Sequence, residues 1–230
     1  MASLTHLIAS TVIGAWLSMS SHSWRRLPRP QDEPLVHAPG PDPDRILVVG
    51  SGAVVGYGVL SYDLSVSGQL ARLVAGETGR GVDLRVVADP DLDVTTARHE
   101  LGALRLDSFD VIVITVGSLD ALELLPRRVW GEQLDLLLDS LHTGPGQSVL
   151  IMGIPQLTDL VSLPRPYRGA VARRVAALNS ESALRAETRP SVTFVPFTPP
   201  AIDLLQNASR EVHTVWARIF APSVVAALSR

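Results

Sequence analysis

The sequence predicts a doubly wound parallel α/β fold, and three observations carry that expectation. Five short apolar runs, at 46–49, 82–88, 111–116, 148–152 and 192–197, are rich in Val and Ile and lack polar alternation. Such runs suit strands covered on both faces. Helical segments lie between them, at about 63–78, 95–104, 126–141 and 167–187, with a last one at about 213–228. Within them Gln69, Leu70, Leu73 and Val74, then Leu134, Leu137, Leu138 and Leu141, recur at the spacing of one helix face. Regular strand–helix alternation places helices on both faces of a parallel sheet, here of five strands.

In chain order, the first strand meets Gly50-Ser51-Gly52, with further glycines at Gly56 and Gly58. Asp63 reads as the N-cap of the first helix. The second strand ends in an acidic loop, Asp89 to Asp93, and Thr95 reads as the next helix start. The third strand runs into Gly117-Ser118-Leu119-Asp120, and the fourth into Gly153-Ile154-Pro155. In a sheet of this kind ligands bind beyond the carboxyl ends of the strands, at the topological switch point. The loops after the first four strands are therefore the candidate site.

The remaining chain divides into an apolar segment over 1–24, a Pro-rich linker over 25–44 and the α/β domain over 45–230. The apolar stretch over 4–19 has the length of a short membrane span, but no basic residue precedes it, whereas Arg25 and Arg26 follow. Packing on the protein or peripheral membrane contact is expected of it, with the body of the chain cytoplasmic. The chain has 230 residues, 46% of them hydrophobic, which suits a folded core. It contains no cysteine, so disulfides and thiolate metal sites are excluded. A net charge of -3, scattered arginines and few aromatics exclude a nucleic-acid surface. No cofactor and no metal are expected.

The glycine loop has two readings. Gly50, Gly52 and Gly56 fit a loose G-x-G-x-x-x-G phosphate loop. However, a dinucleotide loop opens directly into its helix, and here Tyr57, Gly58, Ser61 and Tyr62 prolong it. The acid at the end of the second strand, Asp89, lies too far downstream for a ribose contact.

The second reading starts from Gly56-Tyr57-Gly58-Val59, which matches G-x-G-V, the tail of a strand–G-D-S-x-x-x-G-x-G-V block. Three later stretches follow in order: "FDVIVITVGSLDAL", "IMGIPQLTDLVSLPRPYR" and "ASREVHTVWARIFAP". On these the chain resembles the SGNH/GDSL hydrolases, of a bacterial cytoplasmic-type branch, over nearly all of residues 45–230. The resemblance implies a flavodoxin-like, three-layer α/β/α fold. It also implies acyl transfer by a serine, a histidine with an aspartate three residues before it, and an oxyanion hole.

The same register places unsuitable residues at most of those positions. Gly52 falls on the nucleophile and Ser51 on the preceding aspartate. Asp93 falls on an oxyanion glycine, and Leu119 on the oxyanion asparagine of Gly117-Ser118-Leu119-Asp120. Loss of one oxyanion donor alone costs roughly 10²–10³ in rate. His213 is present, but the residue three before it is Arg210, a cation that opposes an imidazolium. The expectation is a catalytically silent or diverged member, acting as a ligand-binding or scaffold module. Gly50, Gly52, Asp93, Gly117, Leu119, Asp120 and Arg210 would line its pocket, and an Asp93–Arg210 ion pair would fill the vacated space. The alternative is an active serine esterase with Ser51 as nucleophile and His213 as base, the ring oriented by Asp93 or Glu211. The expected partner is a small acyl or ester-like ligand, or a protein.

Two further patterns carry less. Asp89, Asp91, Asp93 and Glu100 have calcium-loop spacing, but Val94 stands where the loop needs glycine. Asn207-Ala208-Ser209 is a glycosylation sequon, meaningful only in a secretory setting.

Overall fold

A computed structural model describes residues 11, 13, 15–16, 26–141, 144, 146–160, 163–201 and 209–229. The apolar segment over 4–19 and the sequon at 207–209 lie outside the described residues, save for Thr11, Ile13, Ala15, Trp16 and Ser209. Among the described residues no helix is long and apolar enough to cross a membrane.

One six-stranded sheet forms the centre: β1 (Leu35–Ala38), β2 (Asp44–Gly50), β3 (Val82–Ala88), β4 (Val111–Thr115), β5 (Ser148–Met152) and β6 (Val192–Val195). Its spatial order is β1-β3-β2-β4-β5-β6. All neighbours pair in parallel except β1, which runs antiparallel along β3 with Leu35 opposite Arg85. The five parallel strands are those expected, and β4 and β5 are buried along their whole length. β3 differs, because Asp83 and Arg85 face solvent, as suits a strand near the sheet's edge.

The helices are α1 (Val66–Thr78), α2 (Val94–Gly102), α3 (Ser118–Leu122), α4 (Arg127–Ser140), α5 (Arg165–Glu187) and α6 (Arg210–Leu228). α1 and α6 pack together on one face, and α2 to α5 cover the other. The apolar faces read from spacing are the buried ones: Leu70 and Val74 in α1, and Leu134, Leu137 and Leu138 in α4, are all sequestered. The N-cap of α1 is Ser65, whose side chain accepts from the Ser67 amide, and not Asp63, which sits in a preceding 3-10 turn. α4 and α5 are clamped by Arg185 and Arg189 on Asp135, each at 3.0 Å, and by Trp130 Nε1 donating to Ser182 Oγ at 3.0 Å.

The segment read as a linker, 25–44, is structured from Arg26 onward and is part of the domain. Leu35–Ala38 is an edge strand with Val36 and Ala38 buried, and the Val86 amide donates to the Pro34 carbonyl at 2.8 Å. The prolines before it form a strap over the glycine loop. Pro28 accepts from the Gly58 amide at 2.8 Å, the Asp32 carboxylate accepts from the Tyr62 amide at 3.0 Å, and Pro30 lies against Gly56. A four-residue strand between prolines has too little pattern to be seen in sequence. Proline at its entry is what an edge strand tolerates.

Candidate functional site

β2 lies between β3 and β4, so the chain crosses to opposite sides of it and leaves a crevice at its carboxyl end. The loop after β2 begins there. The Ser51 amide donates to the Thr115 carbonyl at 3.3 Å, which ties that loop to the end of β4. Ser51 is 3% exposed, and its Oγ is buried without a hydrogen-bond partner. Gly52 follows with φ 72. A Cβ placed on Gly52 would meet Ser118, with Oγ at 3.3 Å and Cβ at 3.9 Å, so the space where a nucleophile would project is closely bounded by Ser118.

That space belongs to a cavity of about 60 Å³, measured for the centre of a water-sized sphere. Such a volume exceeds what one water needs, which is about 10–15 Å³ on the same measure. Ser51, Gly52, Thr115 and Ser118 form its polar end. Its walls are Leu119 and Leu122 from α3, Ile154, Pro155, Leu157 and Leu160 from the loop after β5, and Phe197, Trp216 and Phe220. The aromatic wall is held by edge-to-face contacts of Phe197 with Trp216 at 6.1 Å and with Phe220 at 4.9 Å. Residues from the glycine loop and from all three later stretches thus meet in one cavity.

His213 sits behind this wall and does not line the cavity. It is 2% exposed, with its ring edge-to-face on Trp216 at 5.9 Å. Its Nε2 lies 3.0 Å from the Tyr57 carbonyl oxygen. A carbonyl only accepts, so Nε2 carries the proton and offers no lone pair to a serine. Nδ1 is buried without a partner, and among the described residues no carboxylate is bonded to the ring. Burial lowers the pKa of His213, opposed by the bond to Tyr57. A buried neutral histidine stabilises the fold fully above its unfolded pKa near 6.5 and loses that contribution as the pH falls toward the depressed folded value. Replacing it by Gln is therefore expected to flatten the loss of stability below about pH 6.5, read from urea midpoints across pH. Parallel midpoint curves for the two proteins would remove His213 from that role.

The acidic candidates serve the backbone. Asp93 caps α2, its Oδ1 accepting from the Thr95 amide at 2.9 Å, the Thr96 amide at 2.7 Å and Thr96 Oγ1 at 2.8 Å. Asp89 accepts from the Asp91 amide at 2.7 Å, and among the described residues no group of His, Asp or Glu is arranged to hold a metal ion. Asp93 and Arg210 form no ion pair. Arg210 is exposed at the start of α6, and Asp93 does not line the cavity. Glu211 is exposed beside Arg210 on α6 and does not reach the His213 ring.

Asp120, by contrast, is 4% exposed at the centre of α3. Its Oδ1 accepts from the Val94 amide at 3.4 Å and its Oδ2 has no partner. Burial first, then the Asp93 charge, raises its pKa to about 8, so it is mostly protonated at neutral pH. It joins the start of α2 to α3, the short helix that carries Ser118 and Leu119. Ser118, like Thr115 and the aromatic wall residues, lines the cavity without having been singled out in the sequence. Its contact with Gly52 crosses two loops 66 positions apart, which leaves no local signal.

No family model matches the chain, and comparison with curated proteins finds no match. Solved structures do match. A lipase from a goat rumen metagenome superposes with a TM-score of 0.61 at 14% identity, over 78% of this chain and 97% of that one. The family 3 carbohydrate esterase of Clostridium thermocellum gives 0.61 at 16%, over 82% and 100%. A lipolytic G-D-S-L family protein from Veillonella parvula gives 0.57 at 13%, over 81% and 98%. The architecture is a three-layer α/β/α fold. More narrowly, it is the SGNH/GDSL lipolytic fold, and the chain resembles that family at low sequence identity.

Proposed function

We propose that the domain is a non-catalytic relative of the SGNH/GDSL hydrolases that holds a small, largely apolar ligand, of acyl or ester type, in the cavity beyond β2 and β4. One observation carries this reading: among the described residues the hydroxyls at the cavity's polar end have no base, because His213 spends its Nε2 on the Tyr57 carbonyl and lies outside the lining. Serine attack needs a group to take the hydroxyl proton. Gly52 and Leu119 supply neither a nucleophile nor an oxyanion donor.

A second reading is kept alive by Ser51 Oγ, which is buried, unpartnered and set in the cavity wall. It makes the protein a serine ester hydrolase with Ser51 as nucleophile. One assay separates the two. The purified protein and a Ser51→Ala variant are expected to show the same background on short-chain nitrophenyl esters. Turnover in the parent that disappears in the variant would establish the esterase and end the non-catalytic reading.

A further inference from the structure

The cavity's lining has a property that a general apolar pocket need not have. Among the described residues it contains no arginine, histidine, aspartate or glutamate, and the chain has no lysine to contribute. Asp120 follows Leu119 directly, and Asp93 lies at the start of α2, close enough to raise Asp120. Arg210, the cation expected at this site, points to solvent. What the cavity does offer is Ser51 Oγ, 97% buried by residue exposure of 3% and without a partner, with Ser118 Oγ across the gap at Gly52. A buried hydroxyl left unpaired costs free energy that a ligand group can recover.

We propose that this cavity selects an uncharged amphiphile with a single hydrogen-bonding head, an alcohol or an ester carbonyl seated on Ser51 and Ser118, and rejects the corresponding carboxylate. An anion entering here gives up its hydration with no cation among the described lining residues to replace it. An alcohol or carbonyl loses little, because one hydroxyl satisfies it while its chain lies between Leu119, Ile154 and Trp216. The inference rests on the ligand-holding reading above and narrows it to a chemical class.

The test uses 1-hexanol and hexanoate at pH 7.5, with binding to the full chain read by calorimetry and by fluorescence of Trp216 in the cavity wall. Hexanol is expected to bind at least tenfold more tightly than hexanoate. Ser51→Ala should weaken hexanol roughly 2–10-fold, the range for one lost hydrogen bond. Leu119→Trp, which fills the space, should abolish binding. Lowering the pH until the acid is protonated should bring hexanoic acid up toward hexanol. Equal binding of hexanol and hexanoate at pH 7.5 would overturn the charge selection and leave the ligand-holding reading standing. Binding of neither probe would overturn both. Tight hexanol binding indifferent to Ser51→Ala and Ser118→Ala would overturn the assignment of the head group's partners.

Discussion

Asp120→Asn is expected to stabilise the protein at neutral and alkaline pH and to leave it nearly unchanged near pH 4. Burial first, and the Asp93 charge second, push the folded carboxyl up to about 8 from its ordinary value of 3.8. Between those values the folded state binds the proton that the unfolded state has released. Stability therefore falls as pH rises through this window, and the full loss is reached above about pH 8. At 1.36 kcal/mol per unit, the cost by pH 7 is about 2–4 kcal/mol. Asparagine has the same shape, keeps an oxygen for the Val94 amide and never ionises, so the penalty disappears. Urea midpoints of the two proteins should coincide near pH 4 and separate progressively up to pH 8. A second variant isolates the smaller cause. Asp93→Asn retains a good helix cap and removes the charge, so it should reduce the slope partially. Curves for parent and Asp120→Asn that stay parallel throughout would show that Asp120 is ionised in the fold.

Asp120 also illustrates what the sequence made legible. Its place in Gly117-Ser118-Leu119-Asp120 marked the end of a buried strand and a candidate site, because glycine and polar residues after an apolar run are a local signal. Its burial and its unsatisfied Oδ2 depend on α2 packing over it, which no local pattern encodes. The same division runs through the fold. The parallel strands and the long helices have strong periodicity and lie where the spacing put them. α3 has five residues and β1 has four, too few to establish a period, so neither was anticipated. Asp93 was legible as an acid near the site. The direction of its carboxylate, inward to the α2 amides, follows from a capping box with Thr96. That box was readable in sequence, yet the resemblance drew attention to the oxyanion position instead. His213 was legible as a residue type, whereas its bond to Tyr57 joins positions 156 apart.

The close approach at the switch point leads to the second large effect. Gly50→Ala is expected to cost about 2–5 kcal/mol and to disrupt the cavity with it. Gly50 ends β2 with φ 151, opposite Ala88 on one side and Thr115 on the other. A methyl group there would collide with Thr115 Oγ1 and lie 2.6 Å from its carbonyl carbon and 2.7 Å from its carbonyl oxygen. Thr115 Oγ1 is itself held by the Val49 carbonyl at 3.2 Å, and the Thr115 carbonyl accepts from the Ser51 amide. Relief therefore requires β2 and β4 to part where Ser51 and Ser118 converge, instead of a side chain swinging aside. Gly76→Ala provides the contrast, since its Cβ would meet nothing within 4 Å in the exposed face of α1. That change should stabilise by about 0.5–1 kcal/mol through helix propensity alone. The two denaturation midpoints should thus move in opposite directions from the parent, with Gly50→Ala also losing hexanol binding under conditions where it remains folded. A Gly50→Ala protein as stable as the parent would mean that the strands separate freely at this point, and the narrow crevice on which the cavity depends would not be a rigid feature of the fold.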